Sequence, residues 1–408
     1  MTTRTVQTLE TFQGGVASPL GFTAAGQYVG IKAPGRGLDL ALIVSDRPAT
    51  AAGMFTTNRA QAAPVTVTRA NLAASRGVAR AIVVNSGCAN ACTGTVGMDD
   101  AREMTTLTAS LVGCPADQVL VASTGVIGVN LKMDRIREGL PNAFASLGAD
   151  QGPAAARAIM TTDPFPKEAA ARVNIGTGTV TVGGTAKGSG MIEPMMATML
   201  GFITTDAAVP LPLLERALRE VVNDTFNAIT VDGECSTNDC VMILANGASG
   251  VTIDEQGYEA FAEAVRAVCL PLALGIVRGG EGATKLVTVN VTGAATADEA
   301  RKCAKAIANS PLVKTAIHGG DPNWGRLIAV AGRAGVAFEL EKAAVTIGPI
   351  QLFRDGRPYD DLAPAAANYL RNDDITVGVH LGAGSASSTV WTCDLSAEYV
   401  KINAEYRT

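Results

Sequence analysis

The chain has 408 residues and a mass of 41.7 kDa, enough for two to three domains and a large buried core. Hydrophobic residues make up 47%, charged residues 17% and aromatics 4%, with 44 glycines, so the interior is built from Ala, Val, Leu and Ile around glycine turns, and disorder, coiled coil and collagen are excluded. The formal net charge of -5 comes without a Lys/Arg run, which removes nucleic acid and anionic lipid as expected partners and favours a small molecule.

The N-terminal MTTRTVQTLETF carries Arg4 and Glu10 and no apolar stretch, unlike a secretory signal, so a cytoplasmic protein is expected. Between Val29 and Asn58, LDLALIVS reads as a strand and leads into the small-residue segment RPATAAGMFTTN. RAIVVNSGCANACTG predicts a buried strand over Ala81 to Val84 that enters a glycine-rich loop. The following DDAREMTTLTASLVG has helical spacing, with Asp99 and Asp100 at the end where the helix dipole favours negative charge. DQVLVASTGVIG repeats the plan, with a strand from Val119 to Ala122 and then a loop holding Ser123, Thr124 and Gly125. Two strand-loop-helix units of this kind can wall one site. MDRIREGLPNAFASLG and QGPAAARAIM are helical, the second ending at the polar turn TTDPFPK.

ARVNIGTGTVTVGGTAKGSGMIEPMMATMLGFITTDA predicts an alternating strand, a glycine-rich turn and a buried strand. LPLLERALREVVNDTFN is an amphipathic helix, CVMILANGAS a buried strand, and the pattern from Asp254 to Arg278 is helical again. The uncharged stretches Val268 to Val277 and Pro194 to Thr205 are too short or too polar to cross a bilayer. KLVTVNVTGA and ADEARKCAKAIANS open a new strand-helix unit, which places a boundary near residue 285 between a core of residues 1–284 and a C-terminal α/β domain of residues 285–408. The whole is a multilayer α/β or α+β protein.

Two histidines limit the chemistry. With only His318 and His380 in the chain, a His-rich zinc site is not expected. His380 falls in the alternating ITVGVHLGAG as a strand residue, whereas His318, in KTAIHGGDPNWGR beside Asp321, can serve a site or stabilise a turn. The eight cysteines form no framework and read as free thiols; Cys88 with Cys92, and Cys235 with Cys240, are small buried residues.

The most unusual segment is KGSGMIEPMMATML. On local grounds Thr198 is a β-branched residue in a buried strand. Its company changes that reading: Gly188 and Gly190 permit strained backbone angles, and Ala197 leaves its own carbonyl open to a neighbouring hydroxyl.

The segments NSGCANACTG, STGVIG, MTTDPFPK, KGSGMIEPMMATML, VDGECSTND, EGATK, VKTAIHGGDPNWGR and YVKINAEYRT, in this order over nearly the whole chain, resemble the ornithine acetyltransferase family of arginine biosynthesis. The resemblance implies an αββα sandwich and self-cleavage between Ala197 and Thr198 into an α chain and a β chain. A Thr198 freed in this way carries an α-amine whose ordinary pKa, roughly 7.7 to 8.0, suits it to act as base for its own hydroxyl. By the same resemblance the Thr198 hydroxyl takes acetyl from N2-acetyl-L-ornithine and passes it to L-glutamate in a ping-pong cycle, with Thr124 and Gly125 as the oxyanion hole.

Substrate contacts implied by the resemblance are Thr161, Lys187, Thr198, Glu281, Asn403 and Thr408, with Lys187 suited to a carboxylate and Glu281 to an ammonium. It implies that the C-terminal tail returns to the site. No metal or cofactor is expected; acetyl-CoA is a second donor if the protein is bifunctional. An aminopeptidase or amidase on the same scaffold is the other enzyme reading, and an assembly of two α and two β chains is expected. Asp232 and Asn238 of VDGECSTND help build the site without an assigned step, while Glu193 and Cys235 stand where relatives vary.

Overall fold

The computed structural model describes residues 8–193 and 199–405. The chain forms two compact units: one holds the chain up to Asn227 together with Glu234–Ile276, the other Ala228–Gly233 and the chain from Val277. The second unit also takes up a short segment from the middle of the chain. Strand pattern alone could not reveal that segment, because its interactions are long-range.

In the first unit the elements in chain order are β1 (Leu9–Phe12), β2 (Phe22–Gln27), β3 (Leu40–Phe55), α1 (Ala63–Ala74), β4 (Val78–Cys88), α2 (Gly94–Val112), β5 (Val119–Val126), α3 (Met133–Ala145), α4 (Gly152–Ala158), β6 (Lys167–Ile175), β7 (Gly178–Lys187), β8 (Leu200–Thr205), α5 (Leu211–Asp224), β9 (Cys240–Ala245) and α6 (Tyr258–Arg278). Among the described residues nine strands join one sheet in the order β1-β6-β7-β8-β9-β3-β4-β5, with β2 also on β3. The long β3 runs through both halves: its first part pairs with β2 and β4, its second with β9, and an irregularity between Val44 and Ala49 separates them.

Alternation decides the layers. Ala41 and Ile43 of β3 join Ile82, Val84, Leu120, Phe202, Met242 and Leu244 in an inner core. Leu40 and Leu42 point the other way with Ala81, Val83, Val119 and Val121, against Met104 of α2 and Ile136 and Leu140 of α3. Across the sheet, α5 buries Leu214, Ala217, Leu218, Val221 and Val222, a single helical stripe. Helix α6 lies on β7 because Gly184 leaves room for it: a Cβ there would stand 2.8 Å from Val268 and 3.0 Å from Leu272. Helices outside a sheet folded into two halves make the αββα sandwich.

Helix α6 is 21 residues long, and its most apolar 18-residue window has a mean hydropathy of 1.8, enough by length and composition alone to cross a membrane. The helix begins ten residues earlier than the stretch Val268 to Val277, at Tyr258. Phe261, Val265, Val268, Leu272 and Ile276 are fully buried within the protein, so packing accounts for its composition.

The second unit contains β10 (Leu286–Ala294), α7 (Ala297–Ala308), α8 (Pro311–Gly319), α9 (Trp324–Arg333), β11 (Ala344–Ile347), β12 (Ile350–Arg354), β13 (Arg357–Pro358), α10 (Ala363–Tyr369), β14 (Asp374–His380), β15 (Ala386–Cys393) and α11 (Ala397–Glu405). Its six-stranded sheet runs β13-β12-β11-β14-β10-β15, with β10 and β14 parallel. Thr296 caps α7 by accepting from the Glu299 N–H, and Val287, Val289 and Val291 pack on Ala300, Cys303 and Ile307. All eight cysteines are free thiols.

Candidate active site

Parallel strands β4 and β5 end together, with Ser86 opposite Thr124 and Gly87 opposite Gly125 before the ladder shifts at Cys88. Ser123, Thr124 and Gly125 thus lie on the ladder and not in a loop, a correction to the strand end expected at Ala122. Gly125 has φ 131, and a Cβ there would meet the Gly87 carbonyl carbon at 2.4 Å and the Cys88 nitrogen at 2.5 Å. Only glycine fits.

Three of the expected site residues meet beside it. The Lys187 ammonium, at the last residue of β7, donates to the Thr161 hydroxyl at 2.8 Å and the Thr124 hydroxyl at 3.2 Å. Lys187 is only 5% exposed, so it is not a solvated surface lysine. After it the chain passes buried Ser189 and then Met191, a non-glycine residue held in the left-handed region at φ 59. Such a conformation costs about 1–2 kcal/mol. Ala197, Thr198 and Thr408 lie outside the described residues.

Asp163 organises the turn that carries Thr161. Its Oδ2 accepts from the Thr161 N–H at 3.0 Å, and its Oδ1 accepts from the Gly188 N–H at 2.7 Å and the Lys167 ammonium at 2.6 Å. Burial alone would raise this carboxyl's pKa, but the charges of Lys187 and Lys167 and the hydrogen bonds from Lys167 and Gly188 bring it down to about 2. One carboxylate thereby fixes both the turn and the start of the segment after Lys187. Lys32 joins the group from the other side, donating to the Met160 and Leu38 carbonyls at 2.7 Å each. Burial lowers its pKa to about 8, with the attraction of Asp39 opposing and the repulsion of Lys187 adding to the fall.

Asn238 ties the strand ends together. Its Nδ2 donates to the Ala89 carbonyl at 2.6 Å and the Ser123 carbonyl at 2.9 Å. The Ser123 hydroxyl donates to Asn85 Oδ1 at 2.6 Å, and Asn85 Nδ2 donates to the Cys88 carbonyl at 2.8 Å. All three side chains are buried. Sequence pattern does not single out Asn85, Asp163, Lys32 or Lys167. Asp163 stands in the MTTDPFPK motif, but nothing local distinguishes a buried carboxylate from a turn-forming one.

In the second unit Glu281 and Asn403 meet, with Asn403 Nδ2 donating to the Glu281 carboxylate at 2.9 Å. Glu281 is 7% exposed, in a turn without regular structure, so it too is not a solvated surface side chain. Asp232 accepts from the Tyr399 hydroxyl at 3.3 Å in the same unit.

A family model described as the ArgJ family matches residues 23–408. The chain belongs to the ArgJ family. The arginine biosynthesis bifunctional protein ArgJ of Symbiobacterium thermophilum is 50% identical over 404 residues, covering 98% of this chain and 100% of its own. The protein of the same name from Gloeobacter violaceus is 50% identical over 408 residues, covering 98% of this chain and 99% of its own. The crystal structure of arginine biosynthesis bifunctional protein argJ from Bacillus halodurans, 43% identical, matches with a TM-score of 0.50 and covers 51% of this chain and 100% of the solved one. ArgJ family members are acyltransferases, and this chain is one of them.

Proposed function

We propose that this ArgJ family member is a self-cleaving glutamate N-acetyltransferase that moves acetyl from N2-acetyl-L-ornithine to L-glutamate in arginine biosynthesis. The Thr198 hydroxyl attacks the Ala197 carbonyl, the resulting ester is hydrolysed, and Thr198 becomes the first residue of a β chain. In transfer, the same hydroxyl attacks the acetyl carbonyl while its proton passes to the Thr198 α-amine and on to the departing amine of ornithine. Glutamate's α-amine then attacks the acetyl ester, N-acetylglutamate leaves, and the threonine hydroxyl is restored. Thr124 and Gly125 stabilise the oxyanion in both halves. Lys187 and Thr161 hold a substrate carboxylate, Glu281 and Asn403 an ammonium, and Thr408 is a further substrate contact. No metal or nucleotide cofactor takes part. The active enzyme is an assembly of two α and two β chains in the cytoplasm.

The observation that carries this reading is the convergence of the Lys187 ammonium with the Thr124 and Thr161 hydroxyls beside a position that only glycine can fill. Supporting it, the complete solved chain from Bacillus halodurans covers 51% of this one whereas full-length relatives cover 98%, and a cut at Ala197-Thr198 divides 408 residues nearly in half. Initial rates with both substrates varied test it: parallel double-reciprocal lines are expected, and intersecting lines would exclude an acetyl-enzyme.

The relatives' designation as bifunctional favours acetyl-CoA as a second donor, so that the enzyme also makes N-acetylglutamate from acetyl-CoA and glutamate. Assaying glutamate with acetyl-CoA alone decides the point. The same relatives, similar over their full length, are arginine biosynthesis proteins, which leaves the aminopeptidase or amidase reading without support.

A further inference from the structure

Glu281 stands in a stretch with no ladder or helix to hold it, and the C-terminal part of the same unit supplies the restraints instead. Asp394 Oδ1 accepts from the Thr284 N–H at 2.8 Å and the Lys285 N–H at 2.9 Å, and its Oδ2 accepts from the Thr284 hydroxyl at 2.5 Å. The Ser396 hydroxyl donates to the Gly282 carbonyl at 2.6 Å. Gly282 is at φ 69, where a Cβ would stand 2.5 Å from the Tyr399 nitrogen, so the turn presses directly on α11. Asp394 is the pivot: its side chain is wholly buried, and its remaining partner is His318 Nδ1 at 2.6 Å.

Helix α8 brings that histidine to the pivot. Lys314 and His318 lie four residues apart, hence on one face. The Lys314 ammonium donates to the Val231 carbonyl at 2.7 Å and the Thr392 hydroxyl at 2.9 Å, while His318 reaches Asp394 two residues further along the chain leaving β15. Burial would raise the Asp394 pKa, but the bonds from Thr284, His318 and Lys285 hold it below the usual carboxylate range. The carboxylate stays charged and keeps all its donors. His318 is 39% exposed in its side chain, so it can be replaced without opening the core.

We propose that Asp394 and His318 are positioning residues for Glu281, and that through it they set the enzyme's preference for the substrate that carries a side-chain ammonium. This rests on the proposed function, in which Glu281 receives that ammonium. N-acetylornithine has a cationic side chain and glutamate an anionic one, so a Glu281 free to drift weakens capture of the first and leaves the second unaffected. A role in stability alone would impair both substrates together.

The test measures kcat/KM separately for N-acetylornithine and for glutamate, since in a ping-pong cycle each reports its own half-reaction. His318→Ala is expected to lower the value for N-acetylornithine about tenfold, the worth of one hydrogen bond to a charged group, with glutamate within about twofold. His318→Asn, whose Nδ2 can stand where the imidazole Nδ1 stood, should restore most of it. In a Glu281→Gln background His318→Ala should add no further loss. Equal losses for both substrates, or losses that multiply in the double variant, overturn the proposal, and thermal melts of each variant identify a loss that comes from unfolding. If Glu281→Gln alone leaves N-acetylornithine unaffected, the assignment of Glu281 falls, and the proposal with it.

Discussion

At Gly125 the backbone geometry meets the chemistry proposed for it. Its φ of 131 and the 2.4 Å approach of a would-be Cβ to Gly87 mean that Gly125→Ala must push the ends of β4 and β5 apart. The expected result is a loss of acetyl transfer of about a hundredfold or more, the usual effect of removing one oxyanion donor. An alanine variant that transfers at the normal rate would remove Gly125 from the oxyanion hole. Asp163 makes the electrostatic prediction. Its folded pKa of about 2 lies below the ordinary 3.8, so its contribution to stability is fully present above 3.8 and is lost as pH falls through about 2. Asp163→Asn leaves the Lys167 cation buried without its carboxylate, a cost of roughly 3–5 kcal/mol in urea unfolding at neutral pH. That difference should shrink toward pH 2. Lys32 has the opposite sign: with a folded pKa near 8 instead of 10.5, it costs stability below about 8, and the cost fades as pH rises toward 10.5. Stability of the wild type relative to Lys32→Gln should therefore climb across that window.

At the scale of elements, the staple from Asn238 to β4 and β5 is the feature most open to test. Asn238→Ala leaves the Ala89 and Ser123 carbonyls without their donor in a buried place, which costs about 2 kcal/mol. Thermal denaturation should show a melting point lower by several degrees, and kcat should fall because the Ser123-Thr124 peptide is no longer held. An unchanged melting point would mean that other groups satisfy those carbonyls. Most elements are legible from pattern. The apolar stripe of α5 and the alternation of β10 and β14 need no tertiary information. What escapes does so for stated physical reasons. Helix α2 begins at Gly94, not at Asp99, because the packed site end of β4 delivers the chain into a helical turn rich in Gly and Thr that propensity disfavours. Strand β5 continues through Ser123, Thr124 and Gly125 because parallel pairing with Ser86 and Gly87 overrides the turn-forming character of STG. The meeting of Lys187 with Thr124 and Thr161 is legible only through family resemblance. Residues 63 and 26 positions apart share no local signal.

For the whole molecule, the chain forms two units, and the residues proposed to bind substrate are divided between them. Thr124, Thr161 and Lys187 belong to the first; Glu281 and Asn403 belong to the second. The αββα layer order accounts for the small polar residues at the strand ends of the first unit: helices cover the outer faces, so the ends of β4, β5 and β7 are where the proposed chemistry finds backbone groups. With two histidines in the entire chain, the proposed function calls for a nucleophile that activates itself, which Thr198 would become by cleavage. Intact-mass spectrometry of purified protein, before and after mixing with N-acetylornithine, tests this most directly. Two fragments divided between Ala197 and Thr198 are expected, with one acetyl group added to the fragment that begins at Thr198, and Thr198→Ala should remain one uncleaved, inactive chain. A single unbroken wild-type chain that still transfers acetyl would contradict the claim.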